Sequence, residues 1–429
     1  MVVNTSLQEL FFSEYNRVME RSRGSALISV LILFFLLIGT VLAILYAKGY
    51  RFNAINLFQG KASLSKTGLL VATSTPNGAS VDINHNLTSA TDNTIDLLPG
   101  KYTVSIHKDG YFPWEKDVYV TKELVTKADA LLYPVAPKLE SITASGVEGP
   151  VIDPSSTKIA YRVASQSAVK NGIYIYDMNA RSVLSLQSAT KQVANDTLQL
   201  FSTAALSWSP DGEQLIATVA GTLGPSTYLI QANQLNNQPR NITAILPTIQ
   251  AQFDADRLEK ATSQTIALKP VLKKIIAENF TILGWSPDDT KILYVASRSA
   301  NLPLVIKPRL LGLDTLYERR DIKEGGLYVY DIKEDRNTKI IDTTPEDCKT
   351  NAELCELPIS WFPDSAHLVY VTNKQIHMIE YDGSNNTTVY AGPFIGDYAI
   401  AWPDGSRLVI LTDLNNSTIL PNLYTISLK

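Results

Sequence analysis

Trp208-Ser209-Pro210-Asp211-Gly212 precedes an apolar run, Leu215-Ile216-Ala217-Thr218-Val219, and the same order of residue types returns along the C-terminal two-thirds of the chain. The other copies are Val151-Ile152-Asp153-Pro154, Trp285-Ser286-Pro287-Asp288-Asp289, Trp361-Phe362-Pro363-Asp364 and Trp402-Pro403-Asp404-Gly405. Apolar runs open at Ile159, Leu215, Ile292, Leu368 and Leu408, a fixed step past each proline. Self-similarity of this kind marks an array of one supersecondary unit. A second alternating run follows each first one, as in Ile173-Tyr174-Ile175-Tyr176 and Leu327-Tyr328-Val329-Tyr330. Period-two strands separated by turn residues are the pattern of four-stranded propeller blades.

The copies recur about every 40 to 77 residues, while one blade needs about 40–45. The surplus must be insertions. Residues 248–279 read as helical, with Phe253, Leu258, Leu272 and Ile276 apolar and Pro270 placed to open a second helix. Arg298–Gly325 lengthens a loop within one blade, and both insertions are expected to decorate a binding face or pack on the rim. We expect about five blades over 135–429, or six if Ser185–Ala205 hides a degenerate repeat. An open array exposes strand edges, so Lys138–Thr143 is expected to pair with the last blade near Tyr424.

On the intact Trp208–Gly212 phrase and its variants, this region resembles the TolB-like propeller repeat. The resemblance implies fold rather than chemistry. Trp208, Trp285, Trp361 and Trp402, with Pro154, Pro210, Pro287, Pro363 and Pro403, are expected to serve blade packing and turns.

Residues 67–134 are dense in short alternating strands: Leu69–Thr73, Ser80–Asn84, Ile95–Leu98, Lys101–His107 and Asp117–Val120. Pro76-Asn77-Gly78-Ala79, Leu98-Pro99-Gly100-Lys101-Tyr102 and Gly110-Tyr111 with Trp114 punctuate them. Three such turns in register resemble the PEGA domain family, named for a Pro-x-Gly-Ala turn. The resemblance implies a small antiparallel β-sandwich, exposed at a bacterial or archaeal surface and mediating binding in the envelope, with no catalytic residues. Asp82, Asn84 and Asn86 open like a calcium loop, but Leu87 and Asn93 stand where glycine and an acidic ligand are needed.

Ahead of this unit, Gly24–Ala47 carries no charge and is rich in Leu, Ile, Val and Phe. A helix of that length spans roughly 36 Å, enough for a hydrocarbon core of ~30 Å. The run exceeds a secretory h-region of about 7–15 residues and ends in Tyr46-Ala47-Lys48 without a cleavage site, so an uncleaved anchor is expected. Residues 1–23 are placed in the cytoplasm, residues 48–66 form a linker, and everything after it is expected outside the cell.

The remaining signals exclude more than they assign. A net charge of −4 and a pI near 5.7 give no basic field for nucleic acid. Cys348 and Cys355 either close a small disulfide in an oxidising exterior or remain two separate thiols. The four histidines, His85, His107, His367 and His377, assemble no zinc helix, and no nucleophile elbow or phosphate loop is present. The expected protein is all-β apart from one transmembrane helix. It lacks catalytic residues, cofactors and metals, and acts as a binding or scaffolding module for an envelope protein or wall polysaccharide. The alternatives are a glycan-acting enzyme using residues such as Asp288 or Tyr328, and a sensor signalling through residues 2–23.

Overall fold

The computed structural model describes residues 28–47, 49–52, 64–179, 189–222, 224–266, 268–312, 315–341, 358–416 and 418–429. Cys348, Cys355 and the N-terminal segment before Ile28 lie outside these residues.

The uncharged run forms helix α1, Ile28–Ala47, which is long and apolar enough to cross a membrane. Its side chains are exposed, Phe35 and Leu33 each at 66%. The linker is more ordered than a connector, because Tyr50–Phe52 pairs antiparallel with Leu64–Lys66. Just beyond the helix end, Gly49 N–H donates to Tyr46 O (3.0 Å), and Gly49 O accepts from both Thr67 N (2.9 Å) and Thr67 Oγ1 (3.0 Å).

The sandwich has two sheets. One is ordered Asn93–Leu97, Gly68–Thr75, Val125–Leu131, and the other Asn86–Ala90, Ser80–Ile83, Gly100–His107, Trp114–Val120. Leu70, Ala72, Val81, Val104, Ile106, Val118 and Ala128 form the core between them. The sandwich is not wholly antiparallel: Gly68–Thr75 and Val125–Leu131, the first and last strands, run parallel. Parallel neighbours need a long crossover, and here the rest of the domain supplies it. Asn86–Ala90, mostly exposed and without apolar alternation, is nonetheless a strand, because it pairs antiparallel with Ser80–Ile83.

Among the described residues the repeats form five four-stranded antiparallel sheets in chain order. Sheet one is Glu148–Ile152, Lys158–Val163, Gly172–Asp177 and Thr190–Asn195, so the Ser185–Ala205 stretch supplies its fourth strand rather than a separate blade. Sheet two is Ala205–Trp208, Gln214–Val219, Ser226–Gln231 and Arg240–Asn241. Sheet three is Phe280–Trp285, Lys291–Ala296, Leu327–Asp331 and Arg336–Ile341. Sheet four is Ile359–Trp361, His367–Thr372, Gln375–Glu380 and Thr387–Tyr390. Sheet five is Ile395–Ala401, Arg407–Thr412 and Asn422–Ser427, completed by Leu139–Ser141 from the start of the domain (Leu139↔Ile426, Ser141↔Tyr424). That pairing covers the edge of the C-terminal strand and ties the two ends of the array together.

The apolar residue that opens each second strand faces the preceding sheet. Leu215 clusters with Ala160 and Ile173 of sheet one, Leu368 with Leu293 and Val329 of sheet three, and Leu408 with Val369 and Met378 of sheet four. Ile159 of sheet one clusters with Val409 and Leu423 of sheet five. Ile292 of sheet three departs from the rule. Its cluster is built with Leu272, Ile275 and Ile276 and contains no residue of sheet two.

Those three side chains belong to α3 (Pro270–Asn279), which follows α2 (Leu246–Ile266), with Pro270 at its N-terminus as the sequence suggests. The insertion is therefore more than a rim ornament. It covers the sheet-three face that a neighbouring sheet covers in the other repeats. Helix α2 has no buried residue, and the hairpin presents its apolar face through α3.

Large-to-small changes in α3 should accordingly behave as core substitutions. Leu272→Ala and Ile276→Ala are each expected to cost at least about 2 kcal/mol in denaturant unfolding, and Leu258→Ala on the exposed α2 less than about 0.5 kcal/mol. Equal, small effects at all three positions would show that α3 is not part of the core.

Candidate functional site

The repeat turn is built by its polar residues. In sheet two Ser209 Oγ donates to Asp211 Oδ1 (2.5 Å) and accepts from Gln214 N (3.0 Å). In sheet three Ser286 donates to Asp288 Oδ1 (2.6 Å) and accepts from Lys291 N (2.9 Å). Burial opposes ionisation of Asp288, but the bonds from Ser286 and Thr290 win and hold its pKa down to about 2. The tryptophans lock neighbouring sheets: Trp208 Nε1 donates to Val151 O (3.0 Å), Trp361 Nε1 to Gly284 O (3.4 Å), and Trp402 packs edge-on against Tyr176. Trp285 packs at the border of the sheet-three cluster. Pro154, Pro210, Pro287, Pro363 and Pro403 sit in the turns between first and second strands.

Sheet four alters this turn. Phe362 replaces the serine, so the Asp364 carboxylate instead accepts from Ala366 N (2.8 Å) and His367 N (3.0 Å) and holds the His367 ring through Nδ1 (2.6 Å). His367 stands where the other repeats carry Gln214, Lys291 and Arg407. It is 7% exposed because the sandwich docks over it. Tyr133, at the end of the sandwich, meets the imidazole edge-on at 6.4 Å, and Phe362 does the same at 6.4 Å.

The dock is polar at its centre. Trp114 Nε1 donates to Glu380 Oε1 (2.5 Å), and Lys116 Nζ lies 2.5 Å from both Glu380 Oε2 and Asp382 Oδ2. Asn385 Nδ2 (2.8 Å) and Ser384 Oγ (3.1 Å) complete the shell of Glu380, and Glu115 N donates to Asn385 Oδ1 (3.0 Å). Burial alone would lower the Lys116 pKa, but the two carboxylates raise it above the usual lysine value. Burial likewise works against the Asp382 carboxylate, and the charge and hydrogen bond of Lys116 hold its pKa below normal. The second insertion braces the same junction. Tyr317 OH accepts from Asp117 N (3.3 Å), and Lys116 lies 5.5 Å from the Tyr317 ring centre. Through Tyr317, the Arg298–Gly325 insertion thus braces the interdomain junction.

Beside this bridge lies a cavity of about 280 Å³, lined among others by Thr75, Lys127, Asp129, Leu131, His367 and Glu380. A smaller hollow next to it shares Trp114, Leu131 and His367 and is also lined by Tyr133, whose buried hydroxyl has no partner. No group of three or more His, Cys, Asp or Glu able to hold a metal exists among the described residues.

The turn Pro76–Ala79 lies at one end of the sandwich. Gly78 has φ +71°, a conformation that favours glycine, Ala79 N donates to Thr91 Oγ1 (2.9 Å), and Lys108 Nζ donates to Asn77 O (2.5 Å). Thr75, just before it, lines the cavity. Tyr328 is buried and its hydroxyl accepts from Lys323 N (2.9 Å), while Asp288 lies in the exposed turn of sheet three. Sequence reasoning missed the junction. Its visible trace is the replacement of serine by Phe362 together with a histidine in the same repeat.

Removing the Lys116 ammonium leaves two carboxylates facing each other in a dry interface. Lys116→Met should cost about 3 kcal/mol in denaturant unfolding of the full chain, and a loss below about 1 kcal/mol would show the bridge to be weak. The histidine adds a pH signature. Burial lowers the His367 pKa, but Asp364, through its bond and charge, and Glu380 raise it above its ordinary value, with Lys116 opposing. A raised folded-state pKa stabilises below about pH 6.5, and that stability is lost as pH rises through the raised value. The melting-temperature difference between wild type and His367→Gln should therefore shrink as pH is raised from about 6 to 8.5. A difference independent of pH would contradict this.

Residues 67–135 match the family model described as PEGA domain. No curated protein matches the chain. Among solved structures the chain is similar to a putative TolB from Agrobacterium tumefaciens, at 13% identity over 66% of this chain and 74% of that one, with a TM-score of 0.20. It is similar to TolB from Acinetobacter baumannii at 14% identity over 76% and 59%, TM-score 0.22. It is also similar to a calcium structure of a Trichoderma reesei carbohydrate-active enzyme of family AA12, at 12% identity over 69% and 96%, TM-score 0.30. The chain thus joins a PEGA-type sandwich at 67–135 to a propeller-type array, and the propeller assignment stands on the five sheets themselves.

Proposed function

We propose that this is a membrane-anchored envelope protein that binds another envelope protein without catalysis, using the end of the propeller turned away from the sandwich. The supporting observation is the segregation of connections. In four-stranded meanders arranged round one axis, the turns between strands one and two and between three and four share one end. The sandwich docks on that end of sheet four, through Phe362–His367 and Glu380–Asn385. The opposite end carries the remaining loops.

Those loops expose apolar side chains: Val169 (61%), Leu198 (62%) and Leu200 (60%) beside sheet one, and Leu414, Ile419 and Leu420 beside sheet five. Hydrogen bonds join the loops, from Asp196 N to Ala168 O (3.0 Å), Ser165 Oγ to Ser145 O (2.6 Å) and Val147 N to Pro421 O (2.7 Å). A connected exposed apolar surface favours a protein partner over a polysaccharide. In this reading α1 is the anchor, with the residues before it in the cytoplasm and the propeller outside.

Protease added to intact cells should remove the chain beyond residue 48. A photo-crosslinker at Leu198 should capture an envelope protein, and Leu198→Asp with Leu420→Asp should reduce capture by at least about tenfold without changing the melting temperature. Capture from the sandwich position Glu123 instead would move the binding surface to the other end.

A further inference from the structure

We propose that the tip of the second insertion, Leu310-Leu311-Gly312, rests in the headgroup layer of the membrane that α1 crosses, so that the protein touches the bilayer at a second point beside its anchor. The inference rests on the reading of α1 as that anchor. A row of contacts leads from the helix exit to the tip. Gly49 N donates to Tyr46 O at the end of α1 (3.0 Å), and Gly49 O accepts from Thr67 N (2.9 Å). Thr67 O accepts in turn from Glu123 N (2.9 Å), and Leu124 O from Leu69 N (2.9 Å). A Cβ built on Gly312 would lie 2.9 Å from Leu124 Cδ1, so the tip abuts the sandwich at this same loop. Bonded extended segments stand about 5 Å apart, which puts the tip at most about 20 Å from the helix exit. Tyr46, an exposed aromatic in the last turn of α1, is the kind of residue that sits at headgroup level.

The surface reached in this way is apolar. Leu311 is 91% exposed, more than any other large apolar side chain among the described residues, and Leu310 is exposed beside it. Val125 and Leu69, paired in register on the last and first strands of the sandwich, are exposed next to Leu124 and continue the patch. Lys122 and Lys307 flank it, both exposed and neither paired with a carboxylate among the described residues. Leucines rimmed by lysines suit the boundary of a bilayer, where the apolar side chains enter the acyl edge and the ammonium groups meet lipid phosphates. Two leucines bind a membrane weakly when free in solution. Here α1 has already removed the loss of translational freedom and holds the tip at a high effective concentration, so a weak contact is enough. The helix tilt that lowers the tip onto the surface is ordinary, about 20° on average for membrane helices. A second contact of this kind restricts tilting of the sandwich about the end of α1.

The test uses the full chain with Cys348→Ser and Cys355→Ser, reconstituted in vesicles of phosphatidylcholine and phosphatidylglycerol. A small uncharged fluorophore is placed on one new cysteine at a time, at Phe35→Cys in α1, Leu311→Cys at the tip or Leu414→Cys in a loop of sheet five. Lipids brominated near the headgroup end of their acyl chains serve as quenchers. The labels at 35 and 311 should be quenched, the latter at least about threefold more than the label at 414. Adding Leu310→Asp, a charge on an exposed position, should bring quenching at 311 down to the level at 414 and leave that at 35 unchanged. Quenching at 35 with equal values at 311 and 414 overturns the second contact and leaves the anchor standing, as does quenching at 311 that Leu310→Asp does not reduce. Absence of quenching at 35 overturns the anchor itself, and the second contact with it.

Discussion

Each sheet of the array has two apolar faces, and neither can be left to water. That constraint orders the C-terminal two-thirds of the chain. Ile159, Leu215, Leu368 and Leu408 meet it by packing on the preceding sheet, with the ring closing between sheets five and one. At sheet three the same face carries Tyr294, Tyr328 and Tyr330, with Phe280 stacked on Tyr294 at 3.5 Å between ring centres. So large an aromatic layer is capped by one apolar stripe of helix, Leu272, Ile275 and Ile276. The helical insertion is thus required by the residues it covers, and it accounts for one of the long intervals between repeat phrases.

The second long interval answers a different demand. Docking a sandwich on a propeller buries charges, and a buried ion pair offsets its desolvation only when its remaining lone pairs are satisfied. Glu380 meets this with donors from Trp114, Lys116 and Asn385, and Asp382 with Lys116 and the Ser384 hydroxyl. Arg298–Gly325 shields the ammonium further through Tyr317 and is itself pinned by Asp335, which accepts from Val305 N (2.6 Å), Ile306 N (2.8 Å) and Tyr330 OH (2.5 Å). An interface built this way resists sliding, because any displacement strands a charge.

Much of the fold was legible because its signals are local. The Trp-Ser-Pro-Asp-Gly phrase, the turn at Pro76–Ala79 and Pro270 at a helix start all act within a few residues. The junction was illegible for the opposite reason. Trp114 and Tyr133 come from the sandwich, and Glu380 and His367 from sheet four, more than 200 residues later, so no spacing rule connects them. His367 in particular reads as one strand residue among many until Asp364 and the sandwich are placed around it. The parallel pairing of Gly68–Thr75 with Val125–Leu131 was hidden likewise, since alternation within a strand says nothing about its neighbour's direction.

Rigidity at the junction also fixes where the propeller stands. The end of α1 is bonded to the start of the sandwich through Gly49 and Thr67, and the sandwich is bonded to sheet four through Lys116 and Trp114. Two short, polar, well-satisfied joints in series leave little freedom between helix α1 and the array. A flexible linker would let a binding surface search a volume, whereas this arrangement holds it at one height and one orientation. Such a geometry favours a partner that is itself fixed in the envelope. Two surfaces held in register associate with less loss of freedom than two that diffuse, so under the proposed function a modest apolar patch at the far end of the propeller would suffice.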